Sequence, residues 1–565
     1  MKILLITTSY NGLCQRIHDE LLLLEHEVSI EFAISNKHMI EAVELFEPEL
    51  IICPFLKQKI PQTIWEHHKC IIMHPGIIGD RGPSSLDWAI NEDQKQWGVT
   101  ALQAASEMDA GDIWSNFNFP MREAFKASIY RNEITSAAVC ALHEVLKNID
   151  DSDFNPEVLD YDKEHVKGEL KPLMTQDYRK IDWTKETTDE IIKKINAADS
   201  FPGLLDVMFN EEYYLYGAHK ESILKGSAGE IIGRRHGAIC KATIDGALWI
   251  SHLRKKEKHS YKLPSAVLLK DKLKGIYEQR IPLLLEEEIE TFKEIYYKEK
   301  NEVGYLYFDF HNGAMSIEQC VRLKYAYELA SQKDIQVLVL MGGREFFSNG
   351  IHLNIMEDSL KSDEDGWSNI HAMNDIVRDI IQSQDILTVA SIGANAGAGG
   401  AILPLAADFV VARSGVILNP HYKTLGLHGS EYWTYLLPKR VGEQNAHELM
   451  DNCLPIGALR AQRIGLIDKV FSNSETKYQK EVELFCENLA TCDEYYDLLD
   501  KKSEDREHDE SIKPMQQYRD EELEHMYKSF YDKDSEFNKL RCEFVYKVTP
   551  TKTPKRLALH RKEED

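Results

Sequence analysis

Over the first ~120 residues, short apolar runs alternate with polar segments of helical spacing, which predicts βαβ units and a parallel sheet. The strands fit Ile3–Thr7, Val28–Phe32, Leu50–Cys53 and Cys70–Met73. A helix begins at Ser84 or Ser85, either of which is a good N-cap, and runs through Trp88 and Ile90. Residues 150–170 are charged and contain proline, as a linker would. From 171 to 275 the pattern changes to one helical segment, Thr187–Asn196, and Gly-punctuated strand-like runs at Ile223–Leu224, Ile231–Ile232, Ala238–Ile244 and Leu248–Ser251. This predicts a small β-rich module. Residues 280–300 are rich in Glu and Lys and predict a helix.

The strand–helix alternation resumes at Val303. A strand Tyr305–Phe310 ends in an Asn312-Gly313 turn, a helix follows from about Ser316 to Ser331, and a buried strand covers Val337–Met341. Another helix–strand unit ends at Ser391. The charged segment 501–511 predicts a solvated loop, residues 516–547 have helical spacing, and the last fifteen residues are polar and expected to fray. These shifts place domains at 1–165, 171–275 and 285–548, with a polar tail at 549–565.

A chain of 565 residues is too long for one core, and at ~100–200 residues per domain three or four are expected. The net charge of −26 argues against nucleic acid or an anionic membrane as partner. It leaves room for anionic small molecules held by helix N-termini, Arg or Lys. None of the ten cysteines forms a C-x-x-C pair, so neither a zinc ribbon nor a thioredoxin-like motif is expected. The opening residues have the length of a strand and lack the features of a signal peptide. No apolar stretch is long enough to span a bilayer, and a cytoplasmic, reduced protein is expected.

Two stretches carry candidate chemistry. After the strand ending at Met73 come His74-Pro75-Gly76 and then Asp80-Arg81-Gly82-Pro83-Ser84; further on lies Asp109-Ala110-Gly111-Asp112-Ile113. A His at the C-terminal end of a parallel strand is where α/β sheets place ligands. Asp109 can be brought against that imidazole to orient water or to stabilise an imidazolium. Alone, a His before Pro is ordinarily a loop residue and Asp109 a turn residue. The joint pattern, followed by Lys180-Ile181-Asp182-Trp183, Ile195-Asn196-Ala197-Ala198 and Phe201-Pro202-Gly203, resembles the family of 10-formyltetrahydrofolate-using formyltransferases and hydrolases. That resemblance implies an Asn–His–Asp trio acting on the formyl group. It maps the His to His74 and the Asp to Asp109, but the Asn position holds Ile72, so one polar contact is missing. Arg81 and Ile72 are then substrate-binding positions.

The second stretch is Ala396-Gly397-Ala398-Gly399-Gly400 with Asp408 eight residues on, preceded by the loop Phe346 to His352. Together they resemble the crotonase (enoyl-CoA hydratase/isomerase) superfamily from about 303 to 545. The resemblance implies an oxyanion hole from the N–H groups of Ile351 and Gly399, with Gly350, Gly400 and Ile402 lining the substrate site. The two hydratase glutamate positions hold Ile402 and Tyr422. Tyr422 and Glu431 are the candidate catalytic pair, with His421 and Lys423 as further pocket candidates. Tyr432, Trp433 and Tyr435 are an aromatic run of the kind that packs a core.

A formyltetrahydrofolate module fused to a crotonase module resembles the HypX (HoxX) family of nickel–iron hydrogenase maturation proteins. The resemblance implies an α/β multidomain protein with a Rossmann-like formyltransferase domain, a β-rich module and a crotonase-like domain. It implies formyl transfer from 10-formyltetrahydrofolate to coenzyme A, decarbonylation of formyl-CoA to carbon monoxide, no metal, and hydrogenase assembly proteins as partners. An apolar Ile402 would exclude water that otherwise hydrolyses the thioester. Two alternatives stay open: a formyltetrahydrofolate hydrolase that releases formate, and a non-catalytic scaffold binding CoA and folate.

Overall fold

Ile3, Leu4, Leu5 and Ile6 are successive residues of one strand, and none is exposed. A strand buried on both faces belongs inside a parallel sheet covered by helices, and this one, Lys2–Thr7, is flanked in parallel by Glu27–Phe32 and Leu50–Cys53. The structure is a computed structural model that describes residues 1–285 and 289–561. It divides into two units: Met1–Lys258 with Pro264–Tyr277 and the segment from Thr549, and His259–Leu263 with Glu278–Val548.

In the first unit Cys70–His74 continues the parallel series, so each of the four strands expected over the first ~120 residues is found within one residue. The sheet is not parallel throughout. Gln96–Gln103 and Ile113–Pro120 add to it antiparallel. Residues 104–112 between them are too few for a parallel crossover, which takes about a dozen or more. The helix Ser85–Asn91 forms, but the Ser84 hydroxyl does not cap it; it accepts from the Met174 N–H at 3.1 Å.

The β-rich module is an antiparallel sheet with spatial order Leu204–Met208, Glu211–Glu221, Ala247–Lys255, Ala238–Ala242, Ile231–Arg235. The first two strands form a hairpin across Phe209-Asn210, both left-handed (φ 53° and 62°), as a two-residue turn requires. Ile223–Leu224 is not a strand. The Glu221 carboxylate accepts both of their N–H groups, at 2.6 and 3.0 Å, and folds them into a turn. The helix Thr188–Ala198 is capped by a reciprocal Thr187–Glu190 box.

The tail, expected to fray, is ordered as far as Arg561, and residues 562–565 lie outside the described residues. Leu557 O accepts from Ile30 N–H at 3.0 Å, and Thr553 Oγ1 accepts from Phe32 N–H at 2.8 Å. His560 and Arg561 bind the buried Glu31 carboxylate. Of the apolar tail residues, Leu557 and Ala558 are buried, while Leu559 is exposed.

The second unit centres on a sheet of order Ile295–Lys300, Val303–Phe308, Val337–Gly342, Leu387–Ile392, Phe409–Arg413, Lys469–Phe471, parallel except for the first pair. The helix expected over 280–300 is overturned at Ile295–Lys300, which is a strand. Its Tyr296 stacks on Tyr307 across the pair with ring centroids 4.4 Å apart, a pairing worth more to a strand than Glu/Lys helix propensity. Residues 286–288 of that expected helix lie outside the described residues. The helix Ile317–Ser331 forms as expected, with a Ser316–Gln319 capping box.

The loop expected over 501–511 is instead part of the helix Tyr495–Ile512. Its thin inner face suffices: the Tyr495 hydroxyl donates to Gln336 O at 2.8 Å and Lys502 pairs with Asp408 at 2.7 Å. Asp408 also accepts from the Thr388 N–H and hydroxyl, so this residue ties strand ends together instead of facing a substrate. Among the described residues no helix is long and apolar enough to cross a membrane.

Candidate functional site

In the first unit the apolar strand Cys70–His74 delivers His74, buried, to its C-terminal end. Nε2 lies 2.8 Å from Asp80 Oδ2 and Nδ1 lies 3.5 Å from Asp109 Oδ1. Asp109 was expected there; Asp80 was not assigned a role, though it is the nearer carboxylate. The turn from His74 back to Asp80 needs a glycine: a Cβ on Gly76 would lie 2.3 Å from Asp80 Oδ2 and 2.5 Å from His74 Nε2. Burial disfavours the imidazolium, but the hydrogen bond to Asp80 and the charges of Asp109 and Asp80 outweigh it and raise the His74 pKa. The site is therefore a buried imidazole between two carboxylates that favour its charged form.

Arg81 does not point at His74. Its Nε donates to Met108 O at 3.1 Å and its Nη2 pairs with Glu107 at 3.0 Å, which fastens the loop that carries Asp109. Asp109 itself is left-handed (φ 55°) and accepts weakly from Gly82 N–H at 3.4 Å. Ile72 packs against the apolar cluster of the sheet and supplies no polar atom.

In the second unit two loops meet as the glycines demand. Gly397 N–H donates to Ser348 O at 3.0 Å, and a Cβ on Gly400 would lie 2.1 Å from that same oxygen. Gly350 is left-handed (φ 73°), and a Cβ there would lie 3.2 Å from Gly399 N. The predicted pair, Ile351 and Gly399, thus lies on abutting segments. The helix that Gly399 opens is only Gly399–Ile402 before it tightens to a 3-10 turn, so its dipole adds little. Ala398 before it has φ 47°, a strained conformation for a residue with a Cβ.

Tyr422 and Glu431, both buried, are in contact: the phenol donates to Glu431 Oε2 at 2.5 Å. The Ser430 hydroxyl donates to the same oxygen at 2.9 Å. The other oxygen faces Gly399, where a Cβ would lie 2.6 Å from Oε1. Burial, then the charge and hydrogen bond of Glu431, push the Tyr422 pKa well up, so the phenol keeps its proton at neutral pH. Burial also raises Glu431, against the hydrogen bonds from Tyr422 and Ser430.

Ile402 is fully buried in the apolar core and brings no polar group to this pair. Tyr432, Trp433 and Tyr435 are members of that core. Lys423 turns outward to Asp451 at 2.5 Å; His421 stays at the loop, its Nε2 3.2 Å from where a Gly397 Cβ would be. Ser430, Asn374 and Glu522 were missed. The last two hold the backbone around Glu431 from 57 and 90 residues away in sequence, and no local signal marks them. No group of three or more His, Cys, Asp or Glu side chains that could hold a metal occurs among the described residues.

Comparison with known proteins agrees with this division. Residues 1–146 match the family model for formyl transferase, 173–267 that for the formyl transferase C-terminal domain, and 309–550 that for enoyl-CoA hydratase/isomerase. The hydrogenase maturation factor HoxX of Bradyrhizobium diazoefficiens is 42% identical over 562 residues, covering 99% of this chain and 97% of that protein. The crystal structure of HypX from Aquifex aeolicus in complex with tetrahydrofolic acid superposes with a TM-score of 0.97 at 42% identity, covering 100% of this chain and 99% of that one. Methionyl-tRNA formyltransferase of Halalkalibacterium halodurans is 24% identical over 216 residues, 38% of this chain and 67% of that protein.

Proposed function

We propose, from the premise that this chain belongs to the HypX/HoxX family of hydrogenase maturation factors, that it makes carbon monoxide for a hydrogenase active site. The donor is 10-formyltetrahydrofolate, as the tetrahydrofolic acid bound to the Aquifex protein suggests, and the acceptor is coenzyme A.

In the first step the CoA sulfur bonds to the formyl carbon, the carbon–N10 bond breaks, and the thiol proton ends on N10. His74 is the group suited to carry that proton, because Asp80 and Asp109 favour its charged form. Without a polar side chain at Ile72, the imidazolium also takes the main part in balancing charge on the formyl oxygen.

In the second step formyl-CoA loses its carbonyl. The C–H bond breaks with its proton going to a base, the C–S bond breaks with its electron pair going to sulfur, and sulfur takes a proton. The products are carbon monoxide and CoA, with no net redox change. Formyl-CoA has no α-carbon, so the hydratase glutamates would have nothing to do. Glu431 is the base and the Tyr422 phenol the proton donor, and their contact allows a relay from carbon to sulfur without water. The backbone N–H groups of Ile351 and Gly399 are suited to the thioester oxygen.

The observation that carries this reading is the buried Tyr422–Glu431 pair set against Gly399. The test is gas-phase carbon monoxide from purified protein, 10-formyltetrahydrofolate and CoA. Formate without carbon monoxide would make the protein a hydrolase, and no turnover would make it a scaffold. Hydrogenase assembly proteins are the partners this product requires.

A further inference from the structure

The backbone around Glu431 is strained. Gly429 has φ 101°, and Glu431 and Tyr432 follow with φ 66° and 59°. Two adjacent left-handed residues with side chains persist only where the surroundings impose them. Two buried side chains from separate helices do so. Asn374, on the helix Ser362–Gln382, accepts the Glu431 N–H at 2.7 Å. Glu522, on the helix Met515–Tyr531, accepts the Tyr432 N–H at 2.9 Å on one oxygen, and the Thr434 N–H at 2.9 Å and hydroxyl at 2.6 Å on the other.

Glu522 is an expensive way to hold a turn. It is buried, and among the described residues no cation pairs with it. Burial, against the hydrogen bonds from Thr434 and Tyr432 and helped by the nearby Glu431, pushes its pKa up to about 8. Every donor it satisfies belongs to the residues that immediately follow Glu431. A carboxyl in an apolar core, next to a second carboxyl, serves packing badly.

We propose that Glu522 is a positioning residue for decarbonylation: it fixes the left-handed turn that aims the Glu431 carboxyl at Gly399. This rests on the role given to Glu431 above. Glu522 touches no reacting atom; it acts through the backbone of Tyr432 and Thr434.

The test uses the full chain with formyl-CoA as substrate. Glu522→Ala should lower kcat for carbon monoxide on the order of 10-fold or more, as small misplacements of catalytic groups do, with KM within about twofold. Glu522→Gln keeps one accepting oxygen and should fall between Ala and the parent. Amide hydrogen exchange at 430–434 should rise in the same order. A kcat within twofold of the parent for Glu522→Ala, or for Glu522→Gln should the alanine variant not fold, overturns the proposal. Equal losses in both variants overturn it as well, since a packing role predicts no rescue. Glu431→Gln run in parallel separates the two readings. If it retains full output the decarbonylation role fails, while the exchange data still decide whether Glu522 fixes the turn.

Discussion

The Tyr422 hydroxyl donates to Glu431 Oε2 at 2.5 Å inside a site that excludes solvent from both side chains. Ser430 occupies the same carboxylate oxygen, which leaves Oε1, on the Gly399 side, as the atom free to accept a proton. Tyr422→Phe and Glu431→Gln should each lower carbon monoxide formation from formyl-CoA by ~10²-fold or more, the scale of a positioned acid or base. CoA affinity, measured by calorimetry, should change little. Near-parental output from Tyr422→Phe would remove the phenol from the reaction.

His74 sits between two carboxylates at unequal distances, 2.8 Å to Asp80 and 3.5 Å to Asp109. His74→Ala, Asp80→Asn and Asp109→Asn should each stop consumption of 10-formyltetrahydrofolate while leaving conversion of supplied formyl-CoA intact. Of the two Asn variants, Asp80→Asn should lower the His74 pKa more, because it removes the hydrogen bond that leads the upward push. A histidine raised on folding adds stability that is fully present below its ordinary 6.5 and fades as pH climbs through the raised value. Melting curves from pH 6 to 8.5 should therefore show the Asp80→Asn penalty shrinking with pH. A penalty constant across that range, or equal loss on formyl-CoA, contradicts the assignment.

How much of this was legible in the sequence depends on distance along the chain. Strands such as Lys2–Thr7 announce themselves through unbroken apolar runs, and the meeting of the Phe346 to His352 loop with the Gly-rich turn at Ala396 to Gly400 was implied by their resemblance to known loops. Asp80 stood in a recognised motif, but its role depends on Gly76 letting the chain fold back on His74, a steric fact that no spacing reveals. Glu522 and Asn374 reach Glu431 from helices remote in sequence, so only packing could show them. Charge density misled at both Ile295–Lys300 and Tyr495–Ile512, where one aromatic stack and a few inward contacts outweighed polar composition.

With Ile402 and Tyr422 where a hydratase would carry acids, crotonyl-CoA should not be hydrated. Ile402 is fully buried and cannot hold a water through its side chain. Loss of absorbance at the enoyl thioester band, above the rate in buffer, would show that this pocket still activates water.

The tail makes a prediction of its own. Glu31 is fully buried, and burial alone would raise its pKa; hydrogen bonds from His560, Arg561 and Thr553, with the Arg561 charge, overcome that and hold it below its ordinary 4.5. A carboxyl lowered on folding contributes stability that is present above its unfolded value and lost as pH falls through the folded one. Docking of the tail should therefore be complete at neutral pH and weaken below about 4.5. Arg561→Ala leaves the buried acceptor short of a donor, a loss on the order of 1–3 kcal/mol. His560→Ala should cost a similar amount, and Glu31→Gln should shrink both penalties, because the charge they answer is gone. Proteolysis of the tail followed by mass spectrometry, together with melting temperature at pH 7, reads the effect. Single variants that melt with the parent and protect the tail equally would mean that Leu557 and the backbone bond from Ile30 suffice, and that the buried charge cluster adds nothing.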